Sequence, residues 1–222
     1  MSTISRAGQL LIGLWLFGAG IALLVRAGLG LASWDVLHQG LATRTGLSIG
    51  TVIVASGVLV LALWWPLRQR PGVGTVANVL LVGLAVDGTL AWLPTPNGLG
   101  WRLTFLVLGI VVNAIGTGLY IGAGLGPGPR DGLMTGLAAR GLSIRRARTM
   151  IELAVLALGW LLGGTVGIGT VTYALVIGPL AHVFIPLFTV RSGQDAANRA
   201  ITDQPAPSRA APEHPEPKQK GT

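Results

Sequence analysis

Residues 28–49 read GLGLASWDVLHQGLATRTGLSI and residues 124–144 read GLGPGPRDGLMTGLAARGLSI. With one residue gained or lost, Gly28-Leu29-Gly30, Asp35, Leu37, Gly40-Leu41-Ala42, Arg44 and Gly46-Leu47-Ser48-Ile49 align with Gly124-Leu125-Gly126, Asp131, Leu133, Gly136-Leu137-Ala138, Arg140 and Gly141-Leu142-Ser143-Ile144. The register extends both ways. Upstream it pairs Arg6 with Arg102, and downstream it pairs Gly72-Val73-Gly74-Thr75-Val76 with Gly167-Ile168-Gly169-Thr170-Val171. Three blocks recurring in one order mark an internal duplication.

Around these blocks the chain is apolar. Hydrophobic residues make up 51% of the 222, charged residues 11%, and the mean hydropathy is +0.66, too little polar surface to cover a soluble globule. Ala7 to Val25 is 19 residues without a charge, Thr45 to Leu67 is 23, Leu103 to Pro129 is 27 and Leu153 to Val190 is 38. About 20 residues cross a bilayer as a helix, so the last run has room for two. The periodicity and breaks predict helices over 6–26, 48–67, 73–93, 102–123, 146–163 and 168–190, with short extra helices near 34–44 and 130–140. Pro71-Gly72, the Pro94 to Gly98 cluster, Gly124 to Pro129 and Gly163-Gly164 supply the breaks. The first span follows Arg6 as a signal peptide would, but its length reads as a permanent helix.

The expected architecture is therefore an all-α integral membrane protein of about six spans, built as two three-helix units over 1–96 and 97–190, each with a short half-helix. An odd number of crossings per unit makes the second copy enter from the opposite face, as in inverted-repeat transporters. With both termini cytoplasmic, Arg6, Arg68, Arg70, Arg130, Arg140, Arg145, Arg146, Arg148 and Arg191 fall inside and Arg26, Arg44 and Arg102 outside. Residues 191–222 hold five of the 13 prolines and nine charged side chains, and are expected to be a disordered cytoplasmic tail.

Several polar residues stand out against this background. Asp35 and Asp131 lie in the first turn of each short helix, behind a glycine-rich turn whose free N–H groups and dipole suit an anion. Either they complement that dipole, with Ser33 and Gly128-Pro129 starting the helices and an arginine such as Arg130 nearby, or the half-helices dip inward and bring both to a cation, proton or amine site, or the short helices are interfacial and only cap the bundle. Asp87 and His182 hold corresponding positions late in the third span of each unit, where an ionisable group faces a cavity, a partner or a helix end. Asn113 lies mid-span, suited to a polar cavity or an interhelical hydrogen bond. Glu152, four residues after Arg148, is expected to form a structural ion pair with it.

Other chemistries are unsupported. The net charge of +8 comes largely from arginines at the ends of apolar runs, not from a patch interleaved with aromatics, so no nucleic-acid partner is expected. With no cysteine there is no thiolate site, and nucleotide-loop, zincin and nucleophile-elbow motifs are missing. No enzyme activity, metal or cofactor is expected.

Trp34-Asp35-Val36-Leu37-His38-Gln39-Gly40 after the first Gly-Leu-Gly, the block Gly124 to Met134, and Gly159 to Thr170 together resemble the YczE/YyaS/YitT group of bacterial multi-pass membrane proteins, nearest the YczE type. The resemblance spans roughly 6–190 and implies a bacterial cytoplasmic-membrane location, with no substrate or catalytic residue to carry over. The expected function is transport of a small solute, with or without a coupling ion. A membrane scaffold or regulatory partner is the alternative, and the lipid bilayer is the one assured partner, self-association being left open. A transporter should line an internal cavity with the duplicated aspartates; a scaffold should bury them in satisfied pairs.

Overall fold

The computed structural model describes residues 3–190, all-helical in their regular structure: α1 Thr3–Ala27, α2 Ser33–Thr45, α3 Ile49–Trp64, α4 Val73–Trp92, α5 Leu99–Gly122, α6 Pro129–Ala138, α7 Ile144–Leu161 and α8 Ile168–Phe188. The tail expected to be disordered, 191–222, lies outside the described residues. The element order matches the sequence expectation, short helices included.

Four helices, α1, α4, α5 and α8, are long and apolar enough to cross a membrane, and α2 with α3 makes a fifth if that pair, bent by 115°, is one span. Two of the six expected spans fall short of this measure for physical reasons. With 16 residues, α3 is roughly 24 Å long at 1.5 Å per residue. Arg145, Arg146, Arg148 and Glu152 occupy the first half of α7.

Local chemistry explains the boundaries. Gly46 closes α2 in the left-handed conformation, φ 73°, and its N–H donates to Ala42 O. Ser48 caps α3, accepting from Thr51 N at 3.1 Å, and Ser143 caps α7, accepting from Arg146 N at 3.3 Å. The hydroxyls of Thr75 and Thr170 accept from Gly72 N and Gly167 N, each at 3.3 Å, at the starts of α4 and α8. Gly128 precedes α6 with Pro129 as its first residue, as expected, whereas α2 is preceded by Ala32 with no side-chain cap. Ser33 is thus already in the helix.

The two sequence units interleave, and residues 3–190 pack as one body. α1 and α5 run antiparallel through its centre. A Cβ on Gly13 would strike the Tyr120 backbone, one on Gly20 the Asn113 backbone, and one on Gly109 the Leu24 side chain, so positions rise on one helix as they fall on the other. Absent side chains let the backbones close, the usual means of helix association in lipid. Leu14, Ile21, Val86 and Ile53 fill the core on one side, and Leu24, Leu31, Val36 and Leu106 on the other.

Contacts across this centre come in matched pairs 95 or 96 positions apart. Gly74 N–H donates to Leu125 O at 2.9 Å, and Gly169 N–H to Leu29 O at 2.8 Å. Arg6 donates to the carbonyls of Ala123 and Gly124 at 2.9 and 3.1 Å, and Arg102 to those of Ala27 and Gly28 at 2.7 and 2.6 Å. Each arginine thereby binds carbonyls left free at the end of the other central helix.

One pair of counterparts differs. α3 packs on α4 where Gly50 meets Gly83 and Gly57 meets Val79. α7 and α8 have no comparable packing, and a Cβ on Gly178, the counterpart of Gly83, would meet nothing within 4 Å. α8 rests on α5, and none of its most apolar stretch is buried within the protein.

Candidate functional site

The glycine-rich turns deliver the first residues of α2 and α6 to the same region. Trp34 and Arg130 hold equivalent positions in the duplicated segments, and the Arg130 guanidinium lies 4.9 Å from the centroid of the Trp34 ring. Arg130 also lies 3.6 Å from Asp35 Oδ1, and His38 Nδ1 lies 3.4 Å from that same oxygen. These separations are electrostatic contacts, since neither Asp35 Oδ1 nor His38 Nδ1 has a hydrogen-bond partner. Asp35 is 3% exposed. Its carboxylate therefore relies on Arg130, contributed by the other sequence unit, to offset desolvation.

Beside this cluster lies a cavity of about 850 Å³ with residues from all eight helices in its wall. Phe17, Tyr120, Val60 and Leu156 represent its apolar lining, and Arg130, Asp131, Arg148 and Glu152 its charges; His38 and His182 also reach it. Asp131 faces this space, and a Cβ on Gly128 would lie 3.2 Å from both Asp131 Oδ2 and the Tyr120 hydroxyl. The missing side chain at Gly128 leaves room beside both the carboxylate and the phenol. The cavity extends between the separated α7 and α8.

The duplicated aspartates thus have different surroundings. Asp131 lines the cavity, and Asp35 is buried behind it with Arg130 and His38 within 4 Å. Asp87 is drawn away from the cavity: its Oδ1 accepts from Gly50 N at 2.8 Å and its Oδ2 from Ser48 Oγ at 2.5 Å, fastening the end of α4 to the start of α3. His182, its counterpart, is exposed along the cavity. Asn113 is 1% exposed and bridges three helices, donating to Phe17 O at 3.0 Å and accepting from Tyr173 Oη at 2.8 Å. It is an interhelical link, one of the two roles its position allowed. The expected ion pair of Arg148 with Glu152 is not formed within 4 Å; sharing a face at four-residue spacing, both side chains instead border the cavity.

Trp34, His38, Tyr120 and Asn78 were not singled out by sequence reasoning. The spacing of His38 three residues after Asp35 was a usable signal, since such residues neighbour one another on a helix. Tyr120 and Asn78 carried none, because their place in the wall depends on how separate helices meet. Among the described residues no three His, Asp or Glu side chains are placed to hold a metal ion.

Apolar helices of spanning length around a charged internal cavity define a polytopic helical membrane protein. The chain belongs to the YczE/YyaS group: residues 4–186 match a family of unknown function, DUF6198. It is 41% identical over 177 residues to an uncharacterized protein of Haemophilus influenzae, covering 79% of this chain and 81% of that one. It is 30% identical over 177 residues to the uncharacterized membrane protein YczE of Bacillus subtilis, covering 78% and 82%. Identity to the uncharacterized protein YyaS of the same organism is 29% over 183 residues, covering 79% and 90%. No solved structure matches.

Proposed function

We propose that this protein is a small-solute transporter of the bacterial cytoplasmic membrane, built as two inverted three-helix repeats that expose one cavity to either side in turn. The observation that carries this reading is the difference between two pairs of counterpart helices: α3 and α4 are packed together, α7 and α8 are apart, and the cavity lies between. In a protein with a twofold axis in the membrane plane, exchanging those two arrangements moves the opening from one face to the other. The antiparallel α1 and α5, with their reciprocal contacts, supply a fixed centre for that exchange. Under the arginine bias, the open α7–α8 side is cytoplasmic.

Paired cysteines test the reading, on a background free of native cysteine. Gly57→Cys with Val79→Cys joins the closed pair, since a Cβ on Gly57 lies 3.3 Å from Val79 Cβ, close to disulfide geometry. Thr149→Cys with Gly178→Cys joins positions that are counterparts of Val54 and Gly83. In membranes treated with copper phenanthroline, the first pair should cross-link at once and the second more slowly, as α7 and α8 close. A second pair that never cross-links over hours in native membranes would leave a static scaffold as the better reading.

A further inference from the structure

We infer that the solute taken up by the cavity is a lipophilic organic cation; this rests on the transporter reading and specifies its substrate class. Among the ionisable groups of the wall, Arg130 is matched by Asp35 at 3.6 Å. That leaves the carboxylates of Asp131 and Glu152 against the single guanidinium of Arg148, with no ion pair within 4 Å for any of the three among the described residues. His38, His182, Tyr120 and Tyr173 complete the ionisable wall, and with the imidazoles unprotonated and the phenols protonated they add no charge. One negative charge is therefore left over, and a monocation neutralises it while an anion doubles it.

The rest of the wall fits the same ligand. Tyr120 and Asn78, 7% and 9% exposed, line the cavity, and neither the phenol nor the carboxamide has a hydrogen-bond partner. Their polar atoms are open to the cavity, not sealed off from it, so a ligand or water there can bond them. Phe17 packs edge-on against Tyr120 with ring centroids 5.7 Å apart, giving an aromatic wall close to Asp131. A delocalised cation gains from aromatic faces and carboxylates together, and is cheaper to strip of water than a compact ammonium. About 850 Å³ lies within the range that holds drug-sized ligands.

Tetraphenylphosphonium and tetraphenylborate have the same shape and opposite charge, so they isolate the sign of the site. Equilibrium dialysis of the purified protein, corrected with protein-free micelles, should show saturable phosphonium binding and no saturable borate binding. Asp131→Asn and Glu152→Gln should each weaken phosphonium binding about tenfold, one elementary interaction worth about 1.4 kcal/mol. Arg148→Gln should tighten it. Comparing the two ions on the unaltered protein needs no variant to fold. Equal binding of both ions, absence of saturable phosphonium binding, or unchanged affinity in both carboxylate variants overturns the inference. Saturable binding of phenylalanine without phosphonium binding also overturns it, in favour of a two-sign ligand. Phosphonium binding with a Thr149/Gly178 pair that never closes would keep the site and remove the transporter; closure without phosphonium binding would do the reverse.

Discussion

Asp87 sits in an apolar helix of spanning length, yet both carboxylate oxygens are engaged by the first turn of α3. Asp87→Ala frees Gly50 N and Ser48 Oγ and should destabilise the protein by about 0.5–2 kcal/mol, the cost of losing a helix cap. Asp87→Asn keeps an acceptor for Gly50 N and should lie within a few tenths of wild type, read as melting temperature in detergent. The duplicated aspartates should separate in the same assay. Asp35→Asn leaves the part-buried Arg130 without its counter-charge and should cost about 1–3 kcal/mol. Asp131→Asn, facing the cavity, should change the melting temperature little. Equal melting losses in the two variants would show that surroundings do not decide their roles. Sequence identified both aspartates by their shared register, but position 34 is Trp and position 130 Arg, and that difference sets their environments apart.

At the level of elements, Arg6 and Arg102 each serve the end of the other central helix. Their pairing was legible because the duplication aligns them, but as topology markers; the carbonyls they hold belong to residues about 75 and 117 positions away. Periodicity reports the face of a helix, not which neighbour approaches it. Helix boundaries were more accessible, because Pro71-Gly72, Gly124 to Pro129 and Gly163-Gly164 act within a few residues of themselves. Arg6→Ala and Arg102→Ala should each remove two charge-assisted bonds and destabilise by about 1.5–3 kcal/mol. Chemical or thermal unfolding of both variants checks that the losses agree within a factor of two, as equivalent clamps require. Glycine acts at the same scale in the turns. Gly126 has φ 134°, and a Cβ there would lie 2.9 Å from Thr75 Oγ1, so Gly126→Ala meets both backbone strain and a crowded hydroxyl and should impair folding yield.

For the whole molecule, the span count connects sequence to topology. Apolar runs and the breaks between them suggested six crossings, whereas length and composition of the helices identify four, or five with the bent α2–α3 pair. The difference lies in α3 and α7, the two helices that border the closed and open sides of the cavity. A 16-residue α3 still crosses if the protein tilts it or the bilayer thins locally, at a modest cost per ångström of mismatch. The arginines of α7 lie in its first two turns, within reach of lipid headgroups, leaving the run from Leu153 to Leu161 apolar. Six crossings therefore require both helices to span despite these features. Reporter fusions give a direct count. With six spans and a cytoplasmic N-terminus, fusions at Gln69 and just after Val190 should report inside and a fusion at Asn97 outside. If α3 alone fails to cross, Gln69 and Asn97 exchange sides and the fusion after Val190 also reports outside; if α7 alone fails to cross, only the fusion after Val190 changes, reporting outside. An external readout after Val190, with Gln69 inside and Asn97 outside, would break the inverted arrangement, because α4 and α8, counterparts in sequence, would then cross the membrane in the same direction.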